Sequence, residues 1–300
     1  MTTVCAPKAG ALQRGAFMRD HLELAKPRIT LLVTLTAAAG FALASEHGVD
    51  WPKLFWTAIG VALAAASTGC LNQALEADFD ALMDRTKRRP LPSGRVRRGV
   101  AFALGLAWGA AGLGLLIWKV NAVSFGLTAF TLVSYLLVYT PMKRFSPWSL
   151  WVGAVPGALP PVIGWVAGGG PLDRRAAAIF LLQFFWQLPH FLALAWLYRE
   201  DYAKGGYRVW AVDDPSGVET AWQMGATSCA LVLASLVPYA TGLAGNGYLV
   251  GAAAMGGLVL IAGLRPVWDC SGRNARQVFV ASLVYLPSIY ALLLAQGTRR

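Results

Sequence analysis

Nine apolar windows recur along this chain, each roughly 17–22 residues long, the length a helix needs to cross a bilayer core. Their approximate spans are 28–45, 54–75, 99–118, 122–140, 148–167, 175–197, 219–240, 247–265 and 277–296. A lipid-facing segment must satisfy its backbone internally, so windows of this kind specify helices. The expected fold is all-α, a bundle of nine transmembrane helices forming one domain over residues 28–296. A segment 1–27 precedes it and a tail 297–300 follows it. The residues are 56% hydrophobic and 14% charged, which excludes an ordinary soluble domain. The fifth, seventh and eighth windows are rich in Gly or Ala, which favours close helix packing in lipid. Two polar stretches, 76–98 and 198–218, interrupt the rhythm.

The net charge of +11 raises the question of nucleic acid. Its placement answers it, because the charges gather in short loops between apolar windows, and no nucleic-acid partner is expected. One side of the membrane collects 20 Lys and Arg, the other six. The positive-inside rule then sets the N-terminus and the loop at 76–98 in the cytoplasm, with any cavity there opening to the cytoplasmic side. Cys5, Cys70, Cys229 and Cys270 are scattered and suggest neither disulfides nor zinc. The N-terminal segment lacks a cleavable signal pattern. With Arg14 and Arg19 it is also short for a mitochondrial presequence, so a bacterial plasma membrane is expected over the mitochondrial inner membrane.

The most informative polar stretch runs from Leu71 to Gly94, LNQALEADFDALMDRTKRRPLPSG. Asn72, Glu76, Asp80 and Asp84 recur every fourth residue, a spacing that drifts only about 40° per step around a helix. All four are expected on one stripe. Glu76 and Asp80 stand about 6 Å apart along the axis, a separation suited to divalent cations. The stretch then turns basic with Arg85, Lys87, Arg88 and Arg89. Mg²⁺ commonly binds through one or two carboxylates plus substrate phosphates. A solvated loop of mutually paired charges is the plain alternative, but carboxylates entering a membrane helix are costly and usually functional.

Two further places carry chemistry. Pro141 is expected to end the fourth helix near Thr140, which holds Lys143 and Arg144 at the mouth as a diphosphate-binding pair or as ordinary cytoplasmic charge. The fifth helix is interrupted by Pro156, Pro160 and Pro161. On the sixth, Gln183, Gln187 and His190 share a face beside Pro189, a pattern that suggests a lined cavity. Glu200 and Asp201 follow where that helix leaves the membrane on the Glu76 side. Two acidic clusters at one surface make a plausible two-metal mouth.

The Leu71–Gly94 stretch resembles the first Asp-rich motif of the UbiA superfamily of intramembrane prenyltransferases. Asn72, Glu76 and Asp80 fill motif positions, Gln73 replaces an Asp, and Arg85, Thr86, Arg89, Pro90, Leu91 and Pro92 match its tail. KPRIT at 26–30, YTPMKR, VGAVPGALPPVIGW, FWQLPHFLALAW and REDYAKGGY resemble the haem-farnesylating branch of that superfamily. The resemblance implies a UbiA-type bundle that moves a farnesyl group from farnesyl diphosphate to a vinyl group of haem B, giving haem O for terminal oxidases. It implies Mg²⁺ on Asn72, Glu76, Asp80 and Asp201, with Asp84 and Tyr202 in support. Arg85, Arg89, Lys143 and Arg144 would bind the diphosphate. Tyr139 would shield a carbocation and His190 would serve the haem site, with its role left open. Haem B is then a substrate rather than a cofactor, and a haem A synthase or terminal-oxidase assembly is the implied protein partner. A quinone-precursor prenyltransferase would use the same motif. A transporter is disfavoured, because its charges usually lie near the bilayer midplane.

Overall fold

The computed structural model describes residues 18–45 and 48–296. Residues 1–17 and 297–300, most of the N-terminal segment and the tail inferred above, lie outside the described residues. Among the described residues, nine helices are long and apolar enough to span a membrane. They are α1 (Pro27–Ala44), α2 (Trp51–Asp80), α3 (Arg98–Lys119), α4 (Ala122–Met142), α5 (Ser149–Ala167), α6 (Arg174–Leu197), α7 (Val218–Ala240), α8 (Asn246–Trp268) and α9 (Gly272–Gln296). Residues 18–24 form a further short helix ahead of α1.

The neighbours are α2 with α3, α1 with the second half of α5, α6 with α7 and α9, and α8 with both α7 and α9. Small residues set the closest of these approaches. A Cβ added to Gly164 of α5 would lie 1.7 Å from the Ala37 carbonyl oxygen of α1, so the two backbones meet there directly. Large apolar side chains point outward, Leu106, Leu233, Val250 and Leu258 among them, each at least 60% exposed. Water would penalise such a surface, whereas lipid accepts it. The main core joins α5 through α9 around Trp165, Tyr248, Tyr285 and Ile289. Its polar handles are satisfied across helices: Tyr248 donates to the Ser235 carbonyl and Trp186 Nε1 to the Ser282 carbonyl, both at 2.7 Å.

Two helices, α2 and α4, differ from expectation in ways that shape the mouth, while α5 is interrupted at its prolines as expected. α2 continues five residues past its apolar window, where Glu76 and Ala77 are strong helix formers and carry the helix into polar sequence. α4 does not stop at Thr140 but reaches Met142. It absorbs Pro141 through a wider π turn over Ser134–Tyr139, in which Thr140 Oγ1 donates to the Tyr135 carbonyl at 2.9 Å. α5 breaks at Ala158–Leu159, between Gly157 and Pro160.

Candidate active site

A 30-residue helix is about 45 Å long, against a hydrocarbon core of about 30 Å. The last turns of α2 therefore reach the membrane surface and carry Asn72, Glu76 and Asp80 with them. All three are nonetheless buried, Glu76 at 7% exposure and Asp80 at 2%. Buried carboxylates need partners, and here the partners are cations from other segments. Lys143, just past α4, ion-pairs with Glu76 Oε1. Arg89, in the turns after α2, donates to Asp80 Oδ2 at 2.7 Å. Lys26, immediately ahead of α1, donates to Asn72 Oδ1 at 2.8 Å. Asn72 Nδ2 in turn donates to Glu76 Oε2 at 2.8 Å and Thr140 Oγ1 at 3.3 Å.

The local backbone explains how these groups meet. Thr86 Oγ1 donates to the Asp80 carbonyl at 2.8 Å, closing the end of α2 and folding Arg89 back over it. Among the described residues Lys26 alone of the non-glycines has positive φ, at 47°. That conformation costs roughly 1–2 kcal/mol in an L-residue, and it sits against Pro27, which starts α1. The Lys26 side chain passes Gly69, where a Cβ would stand only 3.3 Å from its Cδ. Burial, reinforced by repulsion from Arg89, lowers the Lys26 pKa to about 8.

Aromatic rings roof the cluster. Tyr207 is 4% exposed and lies within reach of the Glu76 charge. The Lys143 ammonium lies 5.4 Å from the Tyr207 ring centroid and 5.0 Å from that of Tyr139. Burial raises the Tyr207 hydroxyl well above its ordinary range, and the Glu76 and Asp80 charges add to the shift. Tyr202 packs edge-on against Tyr207 at 5.9 Å, and its hydroxyl is also raised, chiefly by burial. The Tyr139 ring fills the space beside Gly153, where a Cβ would lie 2.4 Å away.

The remaining expected residues fall into different surroundings. Asp84 does not continue the stripe, because α2 ends at Asp80 and Asp84 lies in an exposed turn. Its carboxylate pairs with Lys204 and Lys87, which hold its pKa down at about 2. Asp201 accepts the backbone N–H groups of Asp84 and Arg85, one on each oxygen, both at 3.1 Å. Among the described residues no three His, Cys, Asp or Glu side chains converge as a metal site. Asp201 thus clasps the loop rather than joining Glu76 and Asp80 in one carboxylate cluster. Arg85 stacks over Tyr198 at 5.1 Å and Tyr202 at 6.0 Å. Arg144 is exposed and covers Phe79 at 4.0 Å.

The polar stripe of α6 is spent on packing. Gln187 Nε2 donates to the Ala154 and Gln183 carbonyls at 3.2 and 3.1 Å, and Gln183 Oε1 accepts from Tyr290 at 3.2 Å. Gln187 Oε1 occupies the place a Cβ on Gly157 would take. His190 Nδ1 is 2.8 Å from Ser282 Oγ on α9, and its ring is stacked between Trp186 and Phe279. The polar face expected to line a cavity instead ties α6 to α5 and α9. Gln73 likewise turns from the mouth and donates to the Leu24 carbonyl at 3.0 Å.

Three site residues escape sequence reasoning. Lys26 falls in a run noted only for its resemblance, although a lysine directly before a membrane helix already hints at an interfacial cation. Thr140 reads as apolar helix. Tyr207 sits three residues past the short polar helix Arg199–Lys204, and its position depends on how that loop folds back.

A helical membrane bundle that buries carboxylates against lysines and an arginine at one mouth defines a class: membrane-embedded proteins with a charged mouth suited to a polyanion. Within that class, this chain belongs to the UbiA prenyltransferase family, whose model matches residues 33–287. A relative from Solibacter usitatus, a protoheme IX farnesyltransferase, is 44% identical over 286 residues, covering 92% of this chain and 98% of the relative. Among solved structures, one from work on digeranylgeranylglyceryl phosphate synthase in membranes superposes with a TM-score of 0.78 at 17% identity, covering 93% of this chain and 98% of that one. A UbiA homologue from Archaeoglobus fulgidus, bound to DMAPP and Mg²⁺, gives 0.64 at 18% identity over 91% and 99%. At such identities the structural likeness speaks for the fold alone.

Proposed function

We infer that this chain transfers the farnesyl group of farnesyl diphosphate to a vinyl group of haem B, with addition of water, to give haem O. The observation that carries this reading is the 44% identity, over nearly the full length of both chains, to a relative named for protoheme IX farnesylation. The site supplies the matching chemistry. Glu76 and Asp80 with the Asn72 amide oxygen offer a hard oxygen donor set of two carboxylates and one carbonyl, which fits a Mg²⁺ that also takes substrate phosphate oxygens. When bound, that ion neutralises part of the diphosphate charge.

Lys26, Arg89 and Lys143 stand around those carboxylates and hold them until the diphosphate arrives. They then take the phosphate oxygens, while Arg85 and Arg144 add charge at the rim. As the C–O bond of farnesyl diphosphate breaks, its electron pair leaves with the diphosphate, and these cations stabilise the growing negative charge. The terminal vinyl carbon bonds to the farnesyl carbon. Water then adds to the cationic haem-side carbon and gives up a proton. Tyr139, and the edge-to-face pair Phe184 and Phe185, offer π faces to the allylic cation. Asp84, Asp201 and Tyr202 hold the loop that closes over the diphosphate. His190 acts as a positioning residue on the haem side, its ring fixed by Ser282. His190→Ala should lower haem B affinity and leave farnesyl diphosphate affinity unchanged; unaltered haem titration removes it from the site.

The domain over 28–296 lies in a bacterial plasma membrane with the mouth on the cytoplasmic side, a reading supported by the 20-to-six distribution of Lys and Arg. The product passes to a haem A synthase or terminal-oxidase assembly. The direct test incubates membranes containing the protein with haem B, labelled farnesyl diphosphate and Mg²⁺, followed by mass spectrometry of the extracted haem. Labelled haem carrying one hydroxyfarnesyl addition is expected. Label confined to a quinone precursor would overturn the reading in favour of another prenyl acceptor.

A further inference from the structure

A cavity lies against the α8–α9 turn, and no carboxylate lines it. It measures about 870 Å³, and three guanidiniums line it: Arg265 near the end of α8, with Arg273 and Arg276 in the first turns of α9. Gly272, the first residue of α9, also lines it, so the positive end of a 25-residue helix adds to the field. Among the described residues no carboxylate forms an ion pair with these arginines. Arg265 donates to the neutral Gln277 at 2.6 Å, and the nearby Asp269 accepts from the Asn274 side chain at 3.1 Å.

The rest of the lining is apolar, including Leu197, Ala262 and Val280. Along both helices the surface away from the arginines is lipid-facing: Ile261, one turn below Arg265, is 57% exposed, and Val284, one turn below Val280, is 59%. Trp268 closes α8 at 78% exposure, as suits an indole at headgroup level. The cavity is therefore charged at the depth of the headgroups and greasy at the depth of the acyl chains. It also lies on the side of the membrane where Lys and Arg collect.

We propose that this cavity binds an anionic phospholipid, its phosphate held by Arg265, Arg273 and Arg276 and one acyl chain laid along the groove between α8 and α9. The arrangement matches the general way in which basic pockets between membrane helices take anionic headgroups. The inference does not depend on the catalytic reading, because none of these residues belongs to the carboxylate mouth.

The test reconstitutes the full chain into nanodiscs of equimolar phosphatidylglycerol and phosphatidylcholine, re-extracts it gently and quantifies retained lipid by native mass spectrometry. The wild-type protein should retain phosphatidylglycerol in preference to phosphatidylcholine. The preference should fall about fivefold for each guanidinium removed, through Arg276→Gln and Arg273→Gln singly and Arg265→Gln/Arg273→Gln/Arg276→Gln together. Farnesyl diphosphate binding should be unchanged in the same variants, which also reports that they fold. Equal retention of the two lipids, or a preference that survives in the single variants and the triple variant, overturns the proposal. So does displacement of phosphatidylglycerol by haem B, which would reassign the arginines to the propionates of that substrate.

Discussion

Glu76 and Asp80 lie on a long membrane helix and are almost fully buried, whereas Glu200 is exposed and Asp201 only partly covered on a six-residue helix. The first pair meets side-chain cations from two other segments. Asp201 in the second pair meets backbone N–H groups from the loop it faces. Two acidic clusters thus meet different kinds of partner. Buried carboxylates held by side-chain cations can exchange those partners for a metal and a phosphate. A carboxylate clamped on backbone amides gives up its partners only if the loop opens. Surroundings, more than sequence spacing, separate a ligand from a clasp.

The largest effect should come from the buried pair. Asp80→Asn or Glu76→Gln should lower turnover on the order of 10²–10³-fold, the usual cost of removing one group that offsets transition-state charge. These carboxylates are not solvent-linked, so both changes should also destabilise the protein, by something near the about 3–5 kcal/mol that breaking a buried ion pair costs. Glu76→Gln with Lys143→Met removes both partners and should recover most of that stability while staying inactive. Thermal unfolding in detergent, read beside turnover, checks it; a double variant no more stable than Glu76→Gln would show that the pair does not couple.

Next in size are the cations. Lys143→Met or Arg89→Gln should weaken farnesyl diphosphate binding about 10- to 100-fold, since each deletes a charge worth roughly 1.4–2.8 kcal/mol against the diphosphate. Exposed Arg144→Gln, whose guanidinium covers Phe79, should cost much less. Equal losses in all three variants would mean that net charge at the mouth matters and the paired geometry does not.

Lys26 sharpens the same point through pH. Its folded pKa of about 8 lies below the ordinary 10.5, so the folded chain binds this proton more weakly than the unfolded chain. Stability therefore rises as pH climbs from about 8 towards 10.5, while below 8 the cost of burying the charge is fully present. Diphosphate capture runs the other way, because it needs the ammonium. kcat/KM for farnesyl diphosphate should fall above about pH 8 in the wild type, and Lys26→Met should be slow at every pH without that limb. A limb that persists in Lys26→Met belongs to another group.

Much of this was legible in the amino-acid sequence. Nine windows gave nine spans, and the four-residue spacing put Asn72, Glu76 and Asp80 on one face, because both follow from periods local to one helix. What could not be read depended on contacts across the bundle. Nothing near Glu76 announces that Lys143, 67 positions later, is its counter-ion. Nothing near His190 announces Ser282 on α9. The π turn before Pro141 is a packing solution that no periodicity encodes, and Asp84 left the stripe because Thr86 stopped the helix one turn early.

The smallest effect, and the one that most directly tests the contrast between the two acidic clusters, belongs to Asp201→Asn. An asparagine keeps one carbonyl oxygen for the Asp84 or Arg85 N–H and loses the other acceptor and the charge. If Asp201 is a clasp, the loss should resemble that of a helix-capping carboxylate, about 1 kcal/mol of local stability. Turnover at saturating Mg²⁺ should then stay within about tenfold of wild type, a change of under about 1.4 kcal/mol in the barrier. Loosening should show instead as faster amide hydrogen exchange at Asp84 and Arg85. If Asp201 is a metal ligand, its substitution should match Asp80→Asn in depth and the Mg²⁺ requirement should rise steeply. That result would erase the distinction between the clusters and make the backbone clasp a feature only of the enzyme without its diphosphate.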